Sequence, residues 1–310
     1  MPDNSLQDEG LSNDEIALRK VHPARDAERS LSLFDPESTK MRPQAPIGVF
    51  DSGAGGLTIL SALRRELPQE HYVYFGDTAH IPYGMRTEAD ITALTVNACR
   101  FLIEQGVKLI VVGCNTASQA ALNTLRATFS IPFVGVVPAV KPAARMTRKG
   151  RIGIAATNQA ARATYLRQLI DNFAEGIQVH AVGCPELVTL VERGELSGPE
   201  VEQTLQQALA PLLKYDIDVL VLGCTHFPAL RSAIEHVVGE QIQIIDSGVA
   251  IARRTHAILE AERALHPSNG SSRQGDLQIW CTGNARSFTD VASTILGYPV
   301  IAFRAQLEEP

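Results

Sequence analysis

No run of the roughly 18 to 20 apolar residues needed to cross a bilayer occurs in the 310 residues, and the N-terminus lacks a basic stretch followed by an apolar one. These absences predict no membrane span and no secretion signal, and so a cytoplasmic protein. A broad basic surface is missing too. The formal net charge is −6 and the pI near 5.8, which argues against non-specific nucleic-acid binding. There is no C-x-x-C, and the five cysteines, Cys99, Cys114, Cys184, Cys224 and Cys281, are scattered and odd in number. That spacing suits neither a disulfide framework nor a zinc site. The glycine-rich turn GVFDSGAGG at 48–56 follows a strand-like run, yet it fits neither G-x-G-x-x-G nor G-x-x-x-x-G-K-[ST], so a phosphate or dinucleotide site is only weakly signalled.

What is present is the composition of a globular protein, 45% hydrophobic and 20% charged, with length enough for two ordinary domains. From Pro46 onward short Val/Ile-rich runs alternate with helical patterns, the signature of an α/β fold with largely parallel sheets. One set of strands is expected near Ile47 to Phe50, Tyr72 to Phe75, Leu109 to Val112 and Phe133 to Val136. A second is expected near Arg151 to Ala155, Ile177 to Ala181, Val219 to Leu222 and Ile242 to Ile245. Between strands, Ile91, Leu94, Ala98, Phe101 and Leu102 recur at helical spacing, as do Val201, Leu205, Ala208, Leu209 and Leu212; both stripes are candidate core.

Sliding the first set onto the second by about 105 to 110 residues superimposes strand on strand, a weak internal repeat. The expectation is two pseudo-symmetric three-layer α/β domains with mostly parallel sheets facing across a cleft. The first would comprise 45–141 and, after the chain returns, 251–310; the second would be 142–250. Residues 1–44 are polar and lack a sustained apolar period, so they are expected to form a flexible extension, passive or regulatory. A short helix from Asn13 to Lys20 is possible there, because Ser12 and Glu15 have capping-box spacing.

The same repeat carries the chemistry. VVGCNTAS at 111–118 and VLGCTHFP at 221–228 each end an apolar strand in Gly-Cys, so Cys114 and Cys224 hold equivalent strand-end positions. Ligands of open α/β sheets bind at such carboxyl ends. Two thiols facing one carbon could remove a proton from one side and deliver one to the other, inverting a stereocentre. Each cysteine precedes a helical pattern, and a helix N-terminus favours the thiolate, so both thiol pKa values are expected to fall toward neutrality. The same amides can hold a substrate carboxylate. Asp51 either caps the helix after it, or receives a substrate ammonium, or helps a thiol shed its proton. Cys99, Cys184 and Cys281 read as small buried hydrophobes. His71, His180, His236 and His256 read as ordinary helix, strand-edge or surface residues, and His80 as a residue that shapes the loop before Pro82.

In this order, FDSGAGG, HIPYG at 80–84, GCNTAS, GVVPAVKPA, GCTHFP and DSGVAIARR at 246–254 closely resemble the cofactor-independent glutamate racemases, over about residues 46 to 262. The resemblance implies two domains around a pseudo-symmetric cleft, no cofactor and no metal, interconversion of L- and D-glutamate, and supply of D-glutamate for peptidoglycan. It implies that Cys114 and Cys224 are the acid/base pair, with Cys114 acting on D-glutamate and Cys224 on L-glutamate. Asp51 and Ser52, Tyr83 and Gly84, Asn115 and Thr116, and Thr225 and His226 match substrate-binding pairs. Asp51 and His226 are placed to adjust the thiols, and Glu192 matches a carboxylate that works with His226; its alternative is a solvated helix-face glutamate. One position departs from the pattern: Ala160 stands where many relatives have a second threonine after Thr157. The expected partner is the small molecule glutamate, with no nucleic acid and no membrane; a homodimer and a cell-wall precursor as effector are also expected. A related racemase acting on aspartate or another small acid, and a two-lobed non-catalytic binder, remain as alternatives.

Overall fold

The computed structural model describes residues 41–267 and 274–307; the candidate helix at Asn13 to Lys20 lies outside the described residues. Ten strands are present among them: β1 (Ile47–Asp51), β2 (Tyr72–Gly76), β3 (Leu109–Val112), β4 (Phe133–Gly135), β5 (Arg151–Ala156), β6 (Gln178–Gly183), β7 (Val219–Leu222), β8 (Gln243–Ile245), β9 (Leu277–Cys281) and β10 (Ala302–Arg304). They form two sheets, ordered β10-β9-β2-β1-β3-β4 and β6-β5-β7-β8, and every pairing is parallel. The orders β2-β1-β3-β4 and β6-β5-β7-β8 are the same arrangement, so the repeat in the sequence is a repeat in space.

These strands are apolar throughout because both faces are covered. In the first sheet, Ile47, Val49, Tyr72, Tyr74, Leu109 and Val111 pack beneath helices Gly56–Glu66, Gly248–Ala261 and Ala285–Leu296. The alternate residues Phe50, Val73, Phe75, Ile110 and Val112 point the other way, onto helices Glu88–Glu104 and Asn115–Thr128. The second sheet repeats this, with Leu220 and Leu222 on one face and Val219 and Val221 on the other. The two helical stripes read from sequence do become core, except that Phe101 is only partly buried, where its ring meets Phe75 and Trp280.

The chain passes from one sheet layer to the other twice, after β4 and after β8, and the two crossings are tied by the Ser247 hydroxyl donating to the Val137 carbonyl. In the first lobe, the one built on the six-stranded sheet (the second being built on the four-stranded sheet), Lys108 Nζ is fully buried and bound to Glu70 at 2.6 Å, the Pro43 carbonyl at 2.7 Å and the Ala264 carbonyl at 2.8 Å. With a carboxylate and two carbonyls as partners, that ammonium is a satisfied buried charge that fastens residues 41–44 to the first lobe.

Candidate active site

The carboxyl ends of both sheets open on one cleft of about 730 Å³. Cys114 and Cys224 both line it, with Ser52, Tyr83, Gly84, Asn115, Thr116, Thr225, His226 and Glu192. Of the sequence candidates, Asp51 alone does not face the cavity. Two glycines explain how the thiols reach it. Gly113 N–H donates to the Phe50 carbonyl at 2.6 Å and Gly223 N–H to the Ala155 carbonyl at 2.7 Å. A Cβ at either would lie 3.1 or 3.0 Å from that same carbonyl oxygen, so the close approach at each strand end favours glycine and the cysteine follows it.

Beyond this point the two halves differ. Cys114 is the N-cap of the helix Asn115–Thr128; its Sγ accepts from Ala117 N–H at 3.4 Å and lies 3.4 Å from Ser52 Oγ. Cys224 begins no α-helix. A short 3₁₀ turn, Phe227–Leu230, intervenes before the helix Arg231–Val238, so the expected helix N-terminus at the second thiol is absent: Pro228 and the tight turn displace it. In its place Cys224 Sγ meets His226 Nδ1 at 3.5 Å, and His226 Nε2 meets Glu192 Oε1 at 2.6 Å.

The electrostatics follow burial. The Cys114 thiol does not fall toward neutrality; burial, with the nearby Asp51 carboxylate, pushes it up to about 12 against the help of Ser52 and Ala117 N–H. The helix terminus is outweighed because the sulfur is desolvated. Burial also raises Asp51 to about 6, opposed by His226 and by Gly53 N–H. For His226, burial works against the imidazolium, but the charge and hydrogen bonds of Cys224 and Glu192 prevail and hold it well above its ordinary value.

Each remaining residue has a definite setting. Asp51, at the end of β1, is fully buried; Oδ1 accepts from Gly53 N–H at 2.8 Å and Oδ2 from Thr225 Oγ1 at 3.1 Å. It therefore ties the first half to the loop bearing Cys224. Tyr83 lines the cavity but donates its hydroxyl proton to Asp77 Oδ2, 2.7 Å away. Asn115 Oδ1 is buried at the cleft without a partner, a free acceptor. Glu192 sits at the C-terminus of the helix Pro185–Glu192, where the helix dipole disfavours a carboxylate. Two donors compensate, His226 and the Ala54 N–H of the first lobe at 2.7 Å.

Ala160 is buried in the second lobe and does not line the cleft; its N–H donates to Thr157 Oγ1 at 3.2 Å, so the departure from the pattern lies behind the wall rather than in it. Asp77 was missed by sequence reading. It is buried just past β2 and accepts from Thr282 Oγ1 at 2.8 Å and Tyr83, with His80 Nδ1 at 2.7 Å, thereby holding the loop that carries Tyr83 and Gly84. Its signal was its place at a strand's carboxyl end, like that of Asp51. His80 thus does shape its loop. Cys99, Cys184 and Cys281 are fully buried and do not line the cavity. Among the described residues no cluster of three or more His, Cys, Asp or Glu could hold a metal ion, and no helix is long and apolar enough to cross a membrane.

Comparison with known proteins yields a consistent set of relatives. The family model Asp/Glu/Hydantoin racemase matches residues 55–255. The glutamate racemase of Deinococcus radiodurans is 44% identical over 245 residues, 78% of this chain and 83% of that protein. Among solved structures, a glutamate racemase isoform from Bacillus anthracis matches with TM-score 0.75 at 35% identity, covering 86% of this chain and 98% of that one. The Escherichia coli glutamate racemase, solved in complex with L-glutamate and the activator UDP-MurNAc-Ala, matches with TM-score 0.74 at 36% identity over 86% and 100% of the two chains.

Proposed function

Because this chain belongs to the Asp/Glu/hydantoin racemase family, and matches its glutamate racemases over most of its length, we propose that it inverts glutamate at Cα with Cys114 and Cys224 as the two acid/base groups. The enzyme is an isomerase, an amino-acid racemase acting on glutamate. The observation that carries the two-thiol mechanism is that both sulfurs, from equivalent strand ends of opposite lobes, border one cavity.

The division of labour is the one the family resemblance implies, and the surroundings of the two thiols are consistent with it. Cys224 as thiolate, with the His226 imidazolium beside it, takes the α-proton of L-glutamate; Cys114, held as a thiol by burial, gives its proton to the opposite face. The product is D-glutamate, and the two sulfurs have exchanged protonation states. The reverse reaction exchanges their roles. Removing the proton puts a second charge on the α-carboxylate, so donors from Ser52, Thr116 and nearby amides stabilise an ene-diolate-like species, while the Thr225 hydroxyl, given to Asp51, borders it. The free acceptor Asn115 Oδ1 suits the substrate ammonium. Tyr83 and Gly84 bound the cleft where the loop fixed by Asp77 meets it.

The division of the chain into 45–141 plus 251–310 and 142–250 belongs to the same reading, as do cytoplasmic location, supply of D-glutamate to peptidoglycan, and a homodimer. An effector related to UDP-MurNAc-Ala, the activator in the Escherichia coli relative, is a further part of it. The mechanism is tested by α-hydrogen exchange in deuterated water with each enantiomer, using wild type, Cys114→Ser and Cys224→Ser. Each replacement should lower racemisation by at least about 10³-fold, because a serine hydroxyl is a far poorer base. Full racemisation by either variant rejects the two-thiol mechanism, and activity on aspartate but not glutamate moves the substrate.

A further inference from the structure

The GAGG turn fits neither phosphate-binding pattern, and none of its four residues lines the cleft. Its glycines nevertheless have a steric reason. Gly55 has φ −59° and ψ −39°, a conformation any residue adopts, so its backbone does not require glycine. Space does: a Cβ on Gly55 would fall 2.4 Å from His226 Nδ1, and one on Gly53 would fall 2.1 Å from Glu192 Oε1. Between them, Ala54 N–H donates to that same Glu192 oxygen at 2.7 Å. The turn belongs to the first lobe, whereas Glu192 and His226 belong to the second.

Two more bonds cross to the loop bearing the second thiol. Thr58 Oγ1, one turn into the helix after the glycines, lies 2.8 Å from the Thr225 carbonyl and 2.9 Å from the Gly55 carbonyl. Thr225 Oγ1 donates to Asp51 Oδ2. The segment Cys224-Thr225-His226 is thus held by the opposite lobe, while the hydrogen bonds to Cys114 come from Ser52 and Ala117 in its own lobe.

We propose that the Gly53–Gly55 turn with Thr58 is a positioning socket for the second thiol: docking of the lobes seats His226 and Glu192 on the turn and thereby aims Cys224 at the substrate. Lobe closure then sets one acid/base group and leaves the other nearly independent of it. The inference rests on the two-thiol reading above. Thr58 does not line the cavity and touches no reacting atom, so it is a positioning residue.

Rates alone cannot test this. The two enantiomers are equal in free energy, so kcat/KM must fall by the same factor in both directions whichever thiol is disturbed. Primary isotope effects do separate the halves. The experiment measures them on kcat/KM with L- and D-[2-²H]glutamate for wild type, Thr58→Val and Gly55→Ala. Thr58→Val removes the hydroxyl shared by the Thr225 and Gly55 carbonyls and should lower kcat/KM about fivefold. Its isotope effect should rise for L-[2-²H]glutamate and fall for D-[2-²H]glutamate, since the proton transfer at Cys224 becomes the slower one. Gly55→Ala should shift them the same way and further; Thr58→Val is decisive if Gly55→Ala does not fold. Unchanged or equally changed isotope effects, or a shift toward D-[2-²H]glutamate, overturn the socket. Failure of the two-thiol mechanism would appear instead in the cysteine variants, which this measurement leaves untouched.

Discussion

Two strand ends of this molecule bear the same Gly-Cys, yet they hold their sulfurs by different means. At Cys114 the support is local: a proper helix cap, a hydroxyl from Ser52, and enough burial to keep the thiol protonated. At Cys224 the helix is lost, and a histidine-glutamate pair seated on the other lobe replaces it. A pseudo-symmetric frame has therefore acquired two thiols in different surroundings, one among backbone N–H, a hydroxyl and burial, the other beside a histidine-glutamate pair. The difference suits the proposed two-thiol reaction, in which one sulfur starts as a base while the other starts as an acid.

The sharpest way to break this comparison is Glu192→Gln. The amide keeps an oxygen for Ala54 N–H but removes the charge that, with Cys224, holds His226 protonated. The imidazolium beside Cys224 is then lost at lower pH, so activity on the alkaline side should fall earlier than in wild type. The expected drop in kcat is about 10²-fold, as for removing the partner of a general acid or base. The isotope effect should grow for L-[2-²H]glutamate, as for the socket variants. A loss confined to KM would mean that Glu192 only shapes the cleft.

Ser52→Ala is the mirror experiment with a smaller effect. It removes the hydroxyl 3.4 Å from Cys114 Sγ, which also serves the substrate carboxylate in the proposed reaction, and leaves His226 and Glu192 at the second thiol untouched. One lost hydrogen bond to a developing thiolate is worth about 1.5 kcal/mol, about tenfold in kcat/KM. The isotope effect should now grow for D-[2-²H]glutamate, opposite to Glu192→Gln. If both variants shift it the same way, the two thiols are not separately controlled.

The frame and the thiols were legible because they depend on short-range pattern: apolar runs covered on both faces, and a motif repeated at equivalent strand ends. What was not legible depends on desolvation and on contacts between lobes. The helix-dipole rule at Cys114 gave the wrong direction because local sequence does not report how deeply the sulfur is buried. At Cys224, Pro228 was visible, but not the tight turn that cancels the helix N-terminus. The GAGG turn was read against phosphate motifs, when its glycines answer to side chains more than 130 residues away. Asp77 passed unnoticed since its partners converge only in three dimensions.

Asp51 stands between the two halves and gives the smallest of the expected effects, a pH-dependent one. Its carboxylate repels a charge on Cys114 while accepting from Thr225 beside Cys224. Burial raises it from 3.8 to about 6. For an acid so raised, the folded state binds more protons than the unfolded one between those values. Stability from this group is therefore fully present below about pH 4 and is lost as pH rises through 6. Full ionisation forfeits at most on the order of 3 kcal/mol. Asp51→Asn keeps an acceptor for Gly53 N–H and avoids the buried charge, yet it must still satisfy an amide, which leaves a net gain of about 1 kcal/mol. Melting curves should place the Asp51→Asn variant a few degrees above wild type at about pH 7.5 and a few degrees below it near pH 4, where the neutral wild-type carboxyl carries no penalty. A gap that is constant across this range would mean that the carboxylate is fully compensated by Thr225, Gly53 N–H and His226, and that the cross-lobe contact at the second thiol carries no electrostatic penalty.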